Sequence, residues 1–288
     1  MTMPQELRRL RIGLSPTDVS SGPLYAEAAG AFARHGIEPD FQTLPLNYAH
    51  NLVLEGEMDV AFADITSVIQ LIEETGARFK ILAGAAVFDA AEPVNVLIAP
   101  KNRPVRSGAD LNGKRGGVPR LRSFGELATR NWVDQNGGDS TTLTFIELPF
   151  TEFETALNDG RIDVGPISEP LKTMFAPNTS FVGVSYAAIA QAFVFAVFVA
   201  RRGWTEAQPG LAASFTAAMN EGNAWANTHR AETAEILTAR YSVPAGLATT
   251  MARARFPEKL TPDLIQPVLD LAKRYGFGRT TDAAALLS

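Results

Sequence analysis

The chain has 288 residues, a formal net charge of −5, 46% hydrophobic and 20% charged residues, and no cysteine. That length can bury a large core without disulfide or metal support, and the acidic balance excludes a general nucleic-acid binder, which carries a basic excess. The missing cysteines remove disulfides, thiolate zinc sites, iron–sulfur clusters and a cysteine nucleophile.

The opening stretch MTMPQELRRLRIG is charged and lacks an apolar core, so no signal peptide is expected within this sequence. RIGLSP (residues 11–16) reads as a strand ending in a loop. TDVSSGPLYAEAAGAFARHG follows as a helix, with Ser21 as N-cap, Pro23 in the first turn and Gly36 as the stop. IEPDFQTL is the next strand, and Asn47 is placed to cap a short helix. MDVAFAD is a strand, ITSVIQLIEETG a helix, and RFKILAGAAVF and NVLIAP further strands. This alternation predicts an α/β fold with a largely parallel sheet.

The plan then starts again. GKRGGVPRLRSFGELATRNWVDQNGG repeats the strand, proline loop and glycine-ended helix of the N-terminus. LEGEMDVAFAD is echoed by NDGRIDVGPIS at nearly the same offset that separates Pro16 from Pro119. Two lobes built on one plan are expected from this internal match. The longest apolar run, AAIAQAFVFAVFVA (residues 187–200), is too short for a membrane helix and contains Gln191. Its β-branched and aromatic residues indicate a buried strand. Beyond it, TEAQPGLAASFTAAMNEGNAWANTH, RAETAEILTARYS, PAGLATTMARARF and TPDLIQPVLDLAKRYG all read as helices.

Few motifs carry chemistry. GADLNGKR has P-loop spacing, but Arg115 stands where Ser or Thr should hold magnesium, and a strand follows instead of a helix. His35, His50 and His229 have no second ligand at metal spacing, so no metal and no cofactor is expected. Four loops at strand ends matter more, because ligands of α/β sheets bind beyond the C-terminal ends of strands. They are SPTDVSSG, ADITS, PRLRS and ISEPL, two from each half. Arg120 and Arg122 lie in the third, where one of them is a candidate ligand contact. Ser123 and Glu126 match the S-x-x-E capping box, which would instead leave both arginines as solvated loop charges. Phe88 and Phe193 are candidates for a cleft wall.

Taken in order, GPLYAEAAGAFARHGIEPDF, LEGEMDVAFAD, IAPKNRPVRSGADLNGKRGGV, ETALNDGRIDVGPISEP and QPGLAASFTAAMNEGNAWANTHRAETAEIL make the chain resemble the substrate-binding proteins of ABC import systems. The group is that of nitrate, sulfonate and taurine, and thiamine-pyrimidine-precursor binders, with a type II periplasmic-binding-protein fold. The resemblance implies two α/β lobes joined by hinge strands and closing on a ligand. Residues 1–94 plus 200–288 would form the first lobe and 95–199 the second, with NVLIAP and VFAVFVA as crossings. It maps ligand loops onto Ser20, Ser21, Asp64, Thr66, Arg122, Ser123 and Glu169. The arginines of PRLRS depart from the small or polar pair usual there and favour a sulfonate, carboxylate or similar anion, aromatic ones included. A small-molecule ligand, an ABC permease partner and a periplasmic location follow from the resemblance, with neither nucleic acid nor membrane insertion expected. The alternative is a cytoplasmic enzyme on the same fold, a hydrolase, lyase or isomerase of a small organic acid using Asp64 or Glu169. The family's cysteine-dependent chemistries are absent from this chain.

Overall fold

Strand β1 (Arg8–Leu14) sets the architecture. Leu10, Ile12 and Leu14 are fully buried, as the period of two along a strand with one face on a core requires. In the computed structural model, which describes residues 7–44, 49–76 and 79–287, β1 pairs in parallel with β2 (Ile37–Thr43) and with β3 (Val60–Asp64). The strands that follow are β4 (Phe79–Asp89), β5 (Asn95–Pro100), β6 (Arg115–Val118), β7 (Thr144–Glu147), β8 (Gly165–Ser168), β9 (Thr179–Gly183) and β10 (Ala192–Arg201). Asn47, expected as a helix cap, lies outside the described residues.

The strands form a five-stranded sheet, order β2-β1-β3-β10-β4, a three-stranded sheet, order β8-β5-β9, and a pair, β6-β7. Parallel pairing holds for β1 with β2 and β3 and for β6 with β7. It fails for β5, antiparallel to β8 and β9, and for β10, antiparallel to β3 and β4. These are the strands by which the chain passes between the two groups of sheets, so each enters against its neighbours. VFAVFVA, expected as a crossing, is the interior of β10, buried between β3 and β4.

The internal repeat is visible atom by atom. Asp59, before β3, accepts from the Arg11 amide at 2.9 Å and from its guanidinium at 2.7 Å. Asp163, before β8, accepts from the Arg115 amide at 3.0 Å, with the Arg115 guanidinium 3.7 Å away. Gly13 pairs in parallel with Ala61 as Gly116 does with Val164.

Helices pack over the sheets. The predicted first helix is interrupted: a 3-10 turn, Asp18–Ser20, precedes helix Gly22–Ala28, and Gly30 in the left-handed region separates it from Ala31–Arg34. Helix Pro209–Thr228 crosses Gly22–Ala28 so closely that a Cβ on Gly222 would lie 2.4 Å from the Ala26 Cα. PAGLATTMARARF, expected as one helix, stops at Thr250. Beyond it the chain is extended, because Arg253 turns inward to a buried ion pair with Asp18, 2.9 Å from Nε to Oδ2, and Arg255 bridges to Val87 in β4.

Candidate functional site

Residues of all four predicted loops, with β3 and β10, line one cavity between the five-stranded sheet and the second group of sheets. From the five-stranded side come Thr17, Val19, Phe62, Asp64, Phe195 and Ala196. From the other side come Asn95, Pro119, Ser123, Phe124, Gly125, Phe150, Pro166, Ile167, Ser168 and Tyr186. The space between them is about 60 Å³, well under the several hundred Å³ typical of small-molecule pockets, so the two faces stand nearly shut. Phe124 stacks on Phe195 with centroids 5.8 Å apart, and Tyr186 meets Phe124 edge-on at 4.8 Å. The wall is therefore aromatic with a few polar atoms set into it.

Three of those polar atoms are buried with no hydrogen-bond partner among the described residues: Thr17 Oγ1, Asn95 Oδ1 and Ser123 Oγ. Buried polar groups are ordinarily paired, so three unpaired ones gathered in one cavity wall give it the capacity to hydrogen-bond a polar ligand. Ser123 occupies the N-cap position of helix Phe124–Gln135, yet its side chain makes no capping bond. The expected capping box is thus not formed. Glu126 instead accepts from the Arg122 amide at 2.7 Å and pairs with Arg130 at 2.8 Å. The uncapped N-terminus, with Gly125 in the cavity wall, leaves free N–H groups and the positive end of the helix dipole facing the cavity.

Asp64 caps helix Ile65–Thr75, accepting from the Ser67 amide at 2.9 Å and from the Thr66 and Ser67 hydroxyls. Burial opposes its ionisation, but the nearby Arg120 charge and these hydrogen bonds outweigh it and hold the carboxyl below the usual carboxylate range. Burial, followed by the Asp64 charge, pushes the Tyr186 phenol well above its usual value, so it stays protonated and able to donate.

The other predicted site residues are placed differently. Ser20 and Ser21 are fully buried and brace their own turn: the Ser20 hydroxyl bonds the Ser15 carbonyl and the Ser21 hydroxyl donates to the Thr17 carbonyl at 2.8 Å. Ser21 therefore holds the N-cap position without capping. Thr66 is buried and spent on Asp64. Arg120 reaches away from the cavity lining to Ser67 Oγ, 2.6 Å from its Nη2, and its Nε is buried without a partner among the described residues. Arg122 has a left-handed backbone, φ 59°, and turns to the Gly276 carbonyl at 3.1 Å and the face of Phe277. Glu169 is buried against its own following turn, accepting from Thr173 N at 3.1 Å and pairing with Lys172 at 2.9 Å. Phe88 and Phe193 have no exposed surface and pack on each other behind the lining. The expectation that they form the wall is corrected by Phe62, Phe124, Phe150 and Phe195. Phe124 and Phe195 could have been chosen from sequence by adjacency to Ser123 and by position in the apolar run; Thr17 and Ser168 lie in the predicted loops SPTDVSSG and ISEPL, whereas Asn95 and Phe150 carried no motif. Among the described residues no three His, Asp or Glu side chains gather as a metal site, and no helix is long and apolar enough to cross a membrane.

The profile of the family described as NMT1/THI5-like matches residues 18–233. No curated protein sequence matches. Among solved structures, the chain is similar to a ligand-binding component of an ABC-type import system from Staphylococcus aureus, with TM-score 0.81, 15% identity, and coverage of 97% of this chain and 98% of that one. It is also similar to the alkanesulfonate-binding protein SsuA of Xanthomonas axonopodis pv. citri bound to MOPS, with TM-score 0.76, 16% identity and 97% of each chain covered. A Candida albicans gene product exhibiting the generic periplasmic binding protein structural fold gives TM-score 0.76 at 19% identity, over 98% of this chain and 95% of that one. At such identities the likeness establishes the fold, which is the α/β periplasmic-binding-protein fold.

Proposed function

The chain belongs to the NMT1/THI5-like family, and from that premise we propose that it is the solute-binding component of an ABC importer. Its ligand is a small organic anion, a sulfonate or carboxylate with a flat or aromatic body, held between two lobes. The observation that carries this reading is the uncapped N-terminus of helix Phe124–Gln135, where the idle Ser123 hydroxyl and the bare Gly125 backbone open into an aromatic cavity. Helix N-termini are ready-made anion sites, and Thr17 Oγ1 faces the same space from the other side. Under this reading Ser123 and Thr17 contact the acidic group, the phenylalanines hold the body, and Asp64 and Asn95 meet any donor at its far end.

The lobes of this reading follow the sheets. Residues 1–94 plus 200–288 and residues 95–199 divide the chain as the resemblance implies, and the placement of β10 in the five-stranded sheet favours moving the second boundary to just before Ala192. A permease partner goes with the same role, since the Staphylococcus aureus relative is the ligand-binding component of an ABC-type import system, and a periplasmic location is part of the same proposal. The enzymatic alternative gains no support from the carboxylates: Glu169 is tied to Thr173 and Lys172, and Asp64 is held ionised with lowered basicity, its oxygens accepting from the Ser67 amide and the Thr66 and Ser67 hydroxyls, a poor state for a general acid and a weak one for a general base.

Thermal melting of the purified chain against alkanesulfonates, benzenesulfonate, benzoates, taurine and nitrate tests the reading, because a ligand specific to the folded state raises the melting temperature. At least one anion is expected to stabilise the protein and to be recovered unchanged after long incubation. Stabilisation by none of them, or chemical turnover of the one that binds, would refute it.

A further inference from the structure

The cavity wall contains one charged side chain among its described residues, and it has the wrong sign for an anion. Asp64 is a carboxylate in the wall of the same small cavity, and its negative charge opposes an anion held anywhere within it. The arrangement behind it resolves the conflict. Arg120 Nη2 donates to Ser67 Oγ at 2.6 Å, since a guanidinium has no acceptor. The Ser67 proton is thereby directed to Asp64, which also accepts the Ser67 amide and the Thr66 hydroxyl. Arg120, Ser67 and Asp64 thus form a chain of donors ending on the carboxylate. Gln70, one turn on from Ser67 and on the same helix face, secures the loop from which Arg120 comes: its Nε2 donates to the Arg122 carbonyl at 2.7 Å. Arg122 cannot serve in this place, because its left-handed backbone sends its side chain to Gly276 and Phe277.

We propose that Arg120 is a specificity-determining counterion: it reaches from the PRLRS loop to the Asp64–Ser67 pair on the opposite face of the cleft, neutralises the acid in the cavity wall, and so makes the site tolerant of an anionic ligand. This rests on the two-lobe, anion-binding reading above. Arg120 acts through Asp64 and is a positioning residue, not the ligand's anchor. Because the loop and the helix Ile65–Thr75 belong to the two opposed faces, the neutralisation exists only while the cleft is shut. The open site is more acidic than the closed one and weaker for anions.

The test has two arms on the full chain. In the first, without ligand, the Asp64 carboxyl is titrated by carbon-13 NMR, with Asp64→Asn to assign the signal. Arg120→Gln is expected to raise the Asp64 midpoint by about one pH unit or more, and Arg120→Lys to keep most of the wild-type value, which separates lost charge from misfolding. In the second, benzenesulfonate binding is measured at pH 7. Arg120→Gln should weaken it about tenfold or more, one pH unit of midpoint corresponding to a tenfold change. Asp64→Asn combined with Arg120→Gln should restore binding to within about threefold of wild type, since a neutral wall needs no counterion. An Asp64 midpoint that ignores Arg120→Gln overturns the proposal. So does a double variant as weak as Arg120→Gln alone, which would make the unpartnered Arg120 Nε the ligand's grip. If the wild-type chain binds another of the anions named above instead, that anion takes the place of benzenesulfonate in the second arm; if it binds none of them, the anion reading fails and the titration decides the counterion by itself.

Discussion

Ser123 and Asp18 are both buried polar residues, one in the cavity wall and one behind it in an ion pair, and their side chains behave in opposite ways. The Ser123 hydroxyl bonds nothing among the described residues. Ser123→Ala should therefore leave the denaturation midpoint nearly unchanged while lowering affinity for the stabilising anion by about tenfold, the range for a hydrogen bond to a charged group; titration calorimetry beside urea unfolding reads both. Asp18 is fully buried and accepts from Tyr25 at 2.7 Å, from Arg253 at 2.9 and 3.0 Å and from the Ala254 amide at 2.8 Å. Asp18→Asn strands the buried Arg253 charge and is expected to cost about 3 kcal/mol or more of unfolding free energy. A loss under 1 kcal/mol in urea unfolding would show the pair to be solvated. Neither behaviour was legible in sequence. SFGE spells a capping box, and only the competition of the Arg122 amide and Arg130 for Glu126 shows that it does not close. Arg253 stands in a run that reads as helix, and its partner lies 235 positions earlier in the chain.

Elements were more legible than contacts, because they rest on short-range pattern. The strands at residues 37–43, 60–64 and 95–100 lie where period and β-branching place them. The helix ending at Gly76, with φ 67°, follows the glycine stop signal. Sheet direction was not legible, since a strand's sequence does not record whether its neighbour runs with it. The close crossing of helices Gly22–Ala28 and Pro209–Thr228 was likewise silent, as a lone glycine inside a helix has several readings. Its geometry makes a sharp prediction. Gly222→Ala would set a methyl carbon 2.4 Å from Ala26, and the forced separation should cost about 1–3 kcal/mol, although alanine is the better helix former. A rise in melting temperature would mean that the helices already stand apart.

At the scale of the molecule, several carboxylates make the fold acid-sensitive. The Glu73 carboxyl, despite burial, is held low by the Arg279 and Thr280 amides, the Asp89 carboxyl by the Ala91 amide and Arg255, and the Asp64 carboxyl, against burial, by Arg120 and its capping bonds. Groups whose folded values lie below their unfolded ones supply stability that is present above the unfolded value and lost as pH falls through the folded one. Melting temperature should therefore be level from about pH 5 to 7 and fall steadily below about pH 4; calorimetry across that range checks it. Glu27, raised by burial, works in the opposite sense. The position of β10 has a different consequence, in the order of events at the ribosome. The five-stranded sheet lacks its fourth member until residue 201 has been made, so β3 and β4 wait with unpaired edges while everything from β5 to β9 is synthesised. The later-encoded half can therefore assemble before the earlier one. A nascent or truncated chain ending short of Ala192 would carry two open strand edges, the kind of surface that chaperones shield and that aggregates when they do not.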